Sequence, residues 1–267
     1  MSRMMKHISI VITACIVALS CSGKAAEETA IKLKMPSGAG EYSAGTVYIT
    51  AVKEEGGFLF QAQGFTKGGD GTFTGGHYWP VSGRLSFYAD NCSAGRRTGS
   101  HGSSCMEVQM SSGVDTVTGS AENIINGSAV NLTLGHPFAR LYALSISSSD
   151  GSDISVNSLG VTCRRSGWYC LRHKSWTSAS APESVSFPAS SYSCGDILLV
   201  PGEISITLNY TATVGLHSVS YEKTASITLE AGKKTTVYAS VGADALQITA
   251  SAEAETWTET DPIQIVL

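Results

Sequence analysis

The sequence has 267 residues, of which 15% are charged and 28 are glycine, with a formal net charge of −4. That balance lacks a polyanion-binding footprint and argues against a nucleic-acid partner. Few charges and abundant Gly, Ser and Thr favour short strands and many turns, in a chain long enough for one large or two small domains.

At the N-terminus, Arg3, Lys6 and His7 precede an apolar run from Ile8 to Leu19, too short to cross a bilayer as a helix. The run ends in Ala18-Leu19-Ser20-Cys21. This resembles the lipobox of bacterial lipoproteins, in which the cysteine is diacylated and becomes the new N-terminus. Two acyl chains hold a protein stably on a membrane where one does not. The resemblance makes residues 1–20 a signal peptide, Cys21 the lipidation site and residues 21–29 a tether. An ordinary secretory signal cleaved near Ala25 or Ala26 is the alternative, and both imply export.

Beyond the tether the apolar residues recur with period two. Ile31 and Leu33 alternate with lysines, and Val47, Ile49 and Ala51 continue the pattern. Later sets are Ile204, Ile206, Leu208 and Tyr210; Ile227 and Leu229; Val237, Ala239 and Val241; Leu246, Ile248 and Ala250; and finally Ile263, Ile265 and Leu267. Such alternation buries one face of a strand and wets the other, and no capped helical periodicity competes with it. The expected class is all-β, built from sandwiches. Connectors are expected at Pro36–Gly45, Asn91–Ser104 and Ser147–Ser158, and a boundary near Asn126-Gly127-Ser128 divides the body into domains 30–127 and 128–267.

The segment Tyr78 to Ala89 (YWPVSGRLSFYA) resembles a characteristic strand of the fimbrillin family of anaerobic gut and oral bacteria. Val130 to Ile146 (VNLTLGHPFARLYALSI) resembles a second family strand, with Pro137-Phe138-Ala139-Arg140 where small residues and Ser-Lys are more usual. Ile204 to Trp257, including Ala231-Gly232-Lys233, resembles the closing pattern. The order and spacing of these motifs, behind a lipobox, cover most of the chain.

The resemblance implies two transthyretin-like β-sandwich domains in a type V pilus subunit that reaches the outer membrane and cell surface as a lipoprotein. In such subunits, cleavage after the first strand removes lipid and strand together, and a neighbouring subunit donates a strand into the vacated groove. Here Ala30–Met35 has the length and alternation of the strand to be lost. Ile263, Ile265 and Leu267 are the candidate donor residues; the same segment also reads as the last strand of its own sheet. The family's best-known cleavage follows arginine, and none lies between Arg3 and Arg84. Lys32 and Lys34 are the candidate processing sites, with Lys34 expected. Without cleavage the protein serves as an anchor subunit or a stand-alone surface lipoprotein.

Five cysteines remain after Cys15 and Cys21 are set aside. Export permits disulfides, and sequence order suggests local Cys92–Cys105 and Cys163–Cys170 clips. Cys194 is then the odd residue, and pairings that include it stay open. The cysteine spacings fit no zinc ribbon or finger, so no metal is expected.

Around the second clip, Arg165, Trp168, Tyr169, Arg172 and Trp176 are candidate contacts for a host glycan or protein ligand, because aromatic planes beside cationic donors suit such partners. A solvated domain-edge loop with partly buried tryptophans is the plainer reading of the same residues. His136 reads as a packing residue, and Gly68–Gly71 and Asp150–Asp153 read as turns. No nucleophile elbow, phosphate-binding glycine loop or paired zinc-binding histidines are found, so neither an enzyme nor a cofactor is expected.

Overall fold

The computed structural model describes residues 29–34, 46–92, 95–98, 105–187, 197–241, 246–254 and 262–266. Cys21, His101, Cys194, Trp257 and Leu267 therefore lie outside the described residues. In chain order the strands are β1 (Ala30–Lys34), β2 (Thr46–Lys53), β3 (Phe58–Lys67), β4 (Phe73–Tyr78), β5 (Arg84–Asp90), β6 (Arg96–Thr98) and β7 (Met106–Ser111). They continue with β8 (Thr118–Ile125), β9 (Val130–Asn131), β10 (Thr133–Gly135), β11 (Ala139–Ser148), β12 (Asp153–Cys163), β13 (Ser166–Cys170) and β14 (Ser175–Ala179). The last are β15 (Glu183–Phe187), β16 (Ile197–Leu199), β17 (Gly202–Val214), β18 (His217–Leu229), β19 (Lys233–Val241), β20 (Leu246–Ala254) and β21 (Pro262–Val266). The fold is all-β, with no helix among the described residues.

The first body is a single eight-stranded sheet in the order β10-β8-β5-β2-β3-β4-β1-β9. Strands β5 and β1 are four positions apart in it, roughly 19 Å if the sheet were flat. Yet Ile31 and Leu33 of β1 share one core with Phe87 and Ala89 of β5. The sheet must therefore curl over on itself. Strand β3 makes the bend: its register against β2 shifts twice, and Ala62 sits at φ 45. The Ala62 N–H donates to Thr50 Oγ1 at 3.0 Å. Bulges of this kind bend a strand and re-aim its side chains.

The second body has two sheets, β16-β11-β19-β20-β21 and β15-β12-β17-β18. Leu141, Leu144, Val161, Ile206, Leu208, Tyr210, Ile227 and Val237 are buried in one core. The predicted alternation over 204–210 holds, with Ile204, Ile206, Leu208 and Tyr210 inward. The outward residues pair their hydroxyls across strands, Thr207 with Thr224 at 3.0 Å and Thr213 with Ser218 at 2.9 Å.

Two expected connectors contain strands. Asn91–Ser104 carries β6, and Ser147–Ser158 is mostly the end of β11 and the start of β12. Only Ser149–Ser152 is left as a turn between them. Asp150 Oδ1 accepts from the Ser152 N–H at 3.0 Å, and Gly151 takes φ 78, so four residues suffice. The Ser-rich composition came from wet strand faces, which resemble loops in composition. Beyond Ser128, β9 and β10 still pair within the first sheet.

A third sheet, β14-β13-β7-β6, takes two strands from each half of the chain. Its strands β7 and β13 pair from Ser166↔Ser111 to Cys170↔Glu107. Beneath it lies a separate core of Val52, Tyr88, Met106, Val108, Met110, Phe138, Tyr169 and Leu171. Gly167 permits the close approach of β14: a Cβ there would collide with the Ser178 carbonyl oxygen.

Candidate functional site: the seat of the first strand and the shared sheet

Strand β1 is slotted between two neighbours. It pairs antiparallel with β4 (Lys32↔Thr74, Leu33↔Phe73) and parallel with β9 (Leu33↔Val130, Lys34↔Asn131). Its ends are tied by the Trp79 N–H donating to Thr29 O at 2.9 Å and the Leu132 N–H donating to Lys34 O at 3.0 Å. Ile31 is 1% exposed and Leu33 is 0% exposed, while Lys32 and Lys34 face water. Two apolar side chains and two short ladders thus hold the strand. The candidate processing residues lie on its wet side.

At the other end, β21 is the outermost strand of its sheet. It runs antiparallel to β20, with Ile265 opposite Ile248 and Ile263 opposite Ala250. An edge strand keeps only one hydrogen-bonded neighbour, so it is the easiest strand of a sheet to detach or exchange.

The cysteines do not pair as sequence order suggested. The bridge joins Cys105 to Cys170, 65 residues apart, with Cα atoms separated by 6.1 Å. Both predicted clips are thereby overturned. Cys105 precedes β7 and Cys170 ends β13, and the pairing of those strands places them side by side. Cys92 is buried in the third core and its thiol donates to Gln109 O at 3.5 Å. Cys163 is buried in the second body's core, and burial pushes its thiol pKa up.

The predicted aromatic–cationic loop is instead the β13–β14 hairpin, and its residues divide between two faces. Tyr169 and Trp176 turn inward. Burial pushes the Tyr169 phenol up to about 12. Trp176 Nε1 donates to Pro137 O at 2.9 Å, and its ring packs on Phe138 and Tyr169 at 5.0 and 5.5 Å. Trp168 points the other way, beneath the Arg97 guanidinium at 4.1 Å. Arg97 Nε also donates to Glu107 Oε2 at 2.6 Å, and Glu107 is 0% exposed. Arg165 Nε donates to Ser112 Oγ at 2.8 Å and lies 3.6 Å from Glu183. Arg172 is exposed in the turn. The five residues therefore do not form one surface. Tyr169 and Trp176 stabilise the fold, while Arg165, Trp168 and Arg172 border its solvent side.

Beside this sheet sits an ion pair that sequence reasoning missed. Arg96 Nη2 donates to Asp90 Oδ1 at 2.6 Å and stacks over the Tyr48 ring at 4.3 Å. Burial raises the Asp90 carboxyl to about 6 despite the opposing pull of Arg96. His136, expected as a packing residue, lies 3.3 Å from Asp115.

A curled eight-stranded body, a two-sheet body and a shared sheet together define an all-β protein whose fold recurs among bacterial adhesion proteins of known structure. A candidate cell adhesion protein from Bacteroides uniformis superposes with a TM-score of 0.56 at 14% identity, covering 86% of this chain and 98% of its own. A similar protein from Bacteroides ovatus gives 0.54 at 13% identity, covering 90% and 99%. A fimbrial assembly protein from Parabacteroides distasonis gives 0.51 at 9% identity, covering 89% and 99%. No curated protein matches. The fimbrillin-like family model matches residues 27–257, and the chain belongs to that family. Membership implies a cell-surface location and a part in fimbrial structures.

Proposed function

We propose that the chain is a non-enzymatic fimbrial subunit, exported as an outer-membrane lipoprotein through Cys21 and polymerised by β-strand exchange. The seating of β1 carries this reading. It is five residues long, it contributes two alternate side chains to the core, and eleven residues separate it from β2. Cleavage after Lys34 would free it without cutting any other strand. Its loss would bare the facing ladder edges of β4 and β9 and a slot lined by the neighbours of Ile31 and Leu33. Such an opening aggregates unless refilled, and an incoming strand refills it by β-augmentation. A subunit that accepts at one end and donates at the other makes heterologous contacts, which grow open filaments. The edge strand β21, which carries Ile263 and Ile265, is the donor in this scheme together with the Leu267 that follows it in sequence.

Deleting residues 257–267 tests it. The shortened protein is expected to fold as a monomer and to disappear from the ladder of detergent-resistant oligomers. An undiminished ladder would reject β21 as donor. The absence of arginine between Arg3 and Arg84 favours a second reading, in which an anchor subunit or non-polymerising adhesin keeps Cys21 and β1. N-terminal sequencing of surface-shed protein separates the two: Met35 supports the polymer, and lipidated Cys21 alone supports the anchor.

A further inference from the structure

The cysteine spacings fit no zinc ribbon or finger, so the sequence by itself points to no metal site. Folding removes that objection for one trio. Cys105 arrives on the strand pair of the first half, and Cys170 arrives on β13 of the second. His173 stands in the turn that follows. Its backbone N–H donates to Cys170 Sγ at 3.4 Å. The Sγ atoms of both cysteines and an imidazole nitrogen of His173 all lie within 4.8 Å of one another.

We propose that this trio is a two-state staple between the halves of the chain: a disulfide when oxidised, and a Cys2His site for Zn2+ when reduced. A tetrahedral ion with Zn–S bonds of about 2.3 Å holds two sulfurs roughly 3.8 Å apart. Cα atoms separated by 6.1 Å can carry sulfurs at that spacing. The donor set is right for the ion, since two thiolates and an imidazole are preferred zinc ligands and a water completes the shell in three-ligand sites. The surroundings fit as well. Both sulfurs belong to buried residues, at 1% and 0% exposure. His173 is exposed and gives the ion an entry side.

The chemistry balances with a dithiol as reductant. The dithiol is oxidised to its cyclic disulfide, and the Cys105–Cys170 bond becomes two thiols. Zn2+ then displaces the two thiol protons to solvent. Because the ligands come from both halves, bound zinc would keep the shared sheet joined where the covalent bond had been lost. The inference holds whether the protein polymerises or stays anchored.

The test uses the exported chain from Ser22 onward, reduced anaerobically with a phosphine and given Zn2+ or Co2+. One zinc per chain is expected by native mass spectrometry, with a thiolate-to-cobalt charge-transfer band for the cobalt form. His173→Ala, at an exposed position, should weaken zinc binding about tenfold or more. Cys105→Ala with Cys170→Ala should abolish the stoichiometric zinc. Zinc should also raise the melting temperature of the reduced wild type. Reduced protein that takes up no zinc would overturn the proposal. So would zinc uptake that His173→Ala leaves unchanged, a readout that stands even if the double cysteine variant fails to fold.

Discussion

A chain starting at Met35 lacks β1 entirely, and the cost of that loss can be worked from two side chains. Ile31 and Leu33 are essentially inaccessible to water, and burying each is worth about 1.5–3 kcal/mol. Their removal therefore costs about 3–6 kcal/mol before any penalty for the slot they leave. Whole domains are stable by only about 5–15 kcal/mol, so the first body should become marginal while the second, whose core shares no residue with β1, should not. Urea denaturation read by amide exchange in β4 and β9, against exchange in β17, resolves the two bodies. A synthetic strand peptide covering residues 27–36, or the donor segment 259–267, should restore protection to β4 and β9. At a hundredfold excess over its Kd such a peptide contributes about 2.7 kcal/mol. The single substitution Leu33→Ala should cost about 2–5 kcal/mol in the full chain. If the shortened chain keeps its first body within about 1 kcal/mol of the full one, and neither peptide protects it, β1 is not the exchangeable strand.

Two further outcomes follow from charge and cross-linking. The Asp90 carboxyl titrates near 6 in the fold against 3.8 unfolded, so the native state holds the extra proton between those values. Stability from this group is present below about pH 4 and is lost as the pH rises through 6, by roughly 3 kcal/mol. The difference in urea stability between wild type and Asp90→Asn should trace that fall, and a pH-independent difference would contradict it. Reducing the Cys105–Cys170 bridge opens a loop of 65 residues and should lower stability by about 4 kcal/mol in metal-free buffer. Calorimetry with and without a phosphine reductant measures this.

What the sequence reveals here follows physical range. Alternation is local, so the inward residues of β1, β2, β17 and β19 could be read from period two alone. The hairpin turns at Gly68–Gly71 and Asp150–Asp153 were equally readable, since the Asp side chains bond the backbone two residues on. Cysteine pairing is not local. Cys92 and Cys105 are near in sequence, yet β7 carries Cys105 towards β13 and leaves Cys92 in the core beside Gln109. The same long-range pairing hid the metal-competent trio. It also explains why Tyr169 and Trp176 looked like a binding loop: their neighbours Phe138 and Pro137 come from a segment that no short window contains. The register of Trp168 with Gln109 was likewise invisible, although the alternation of Met106, Val108 and Met110 marks β7 as a strand.

The shared sheet bears on how such a chain can be cut and recombined. Tandem domains usually meet at a linker, so either can be replaced by a relative's without disturbing the other. Here the first half ends its pairing duties on strands of the second, and the second completes its hairpin against strands of the first. A chimera joined near residue 136 would bring together two β-edges and two cysteines that must agree in register, residue by residue. Gene fusion at that joint should yield soluble protein only when β6, β7, β13 and β14 travel together. The unit of inheritance is then the whole β body, although its cores are several.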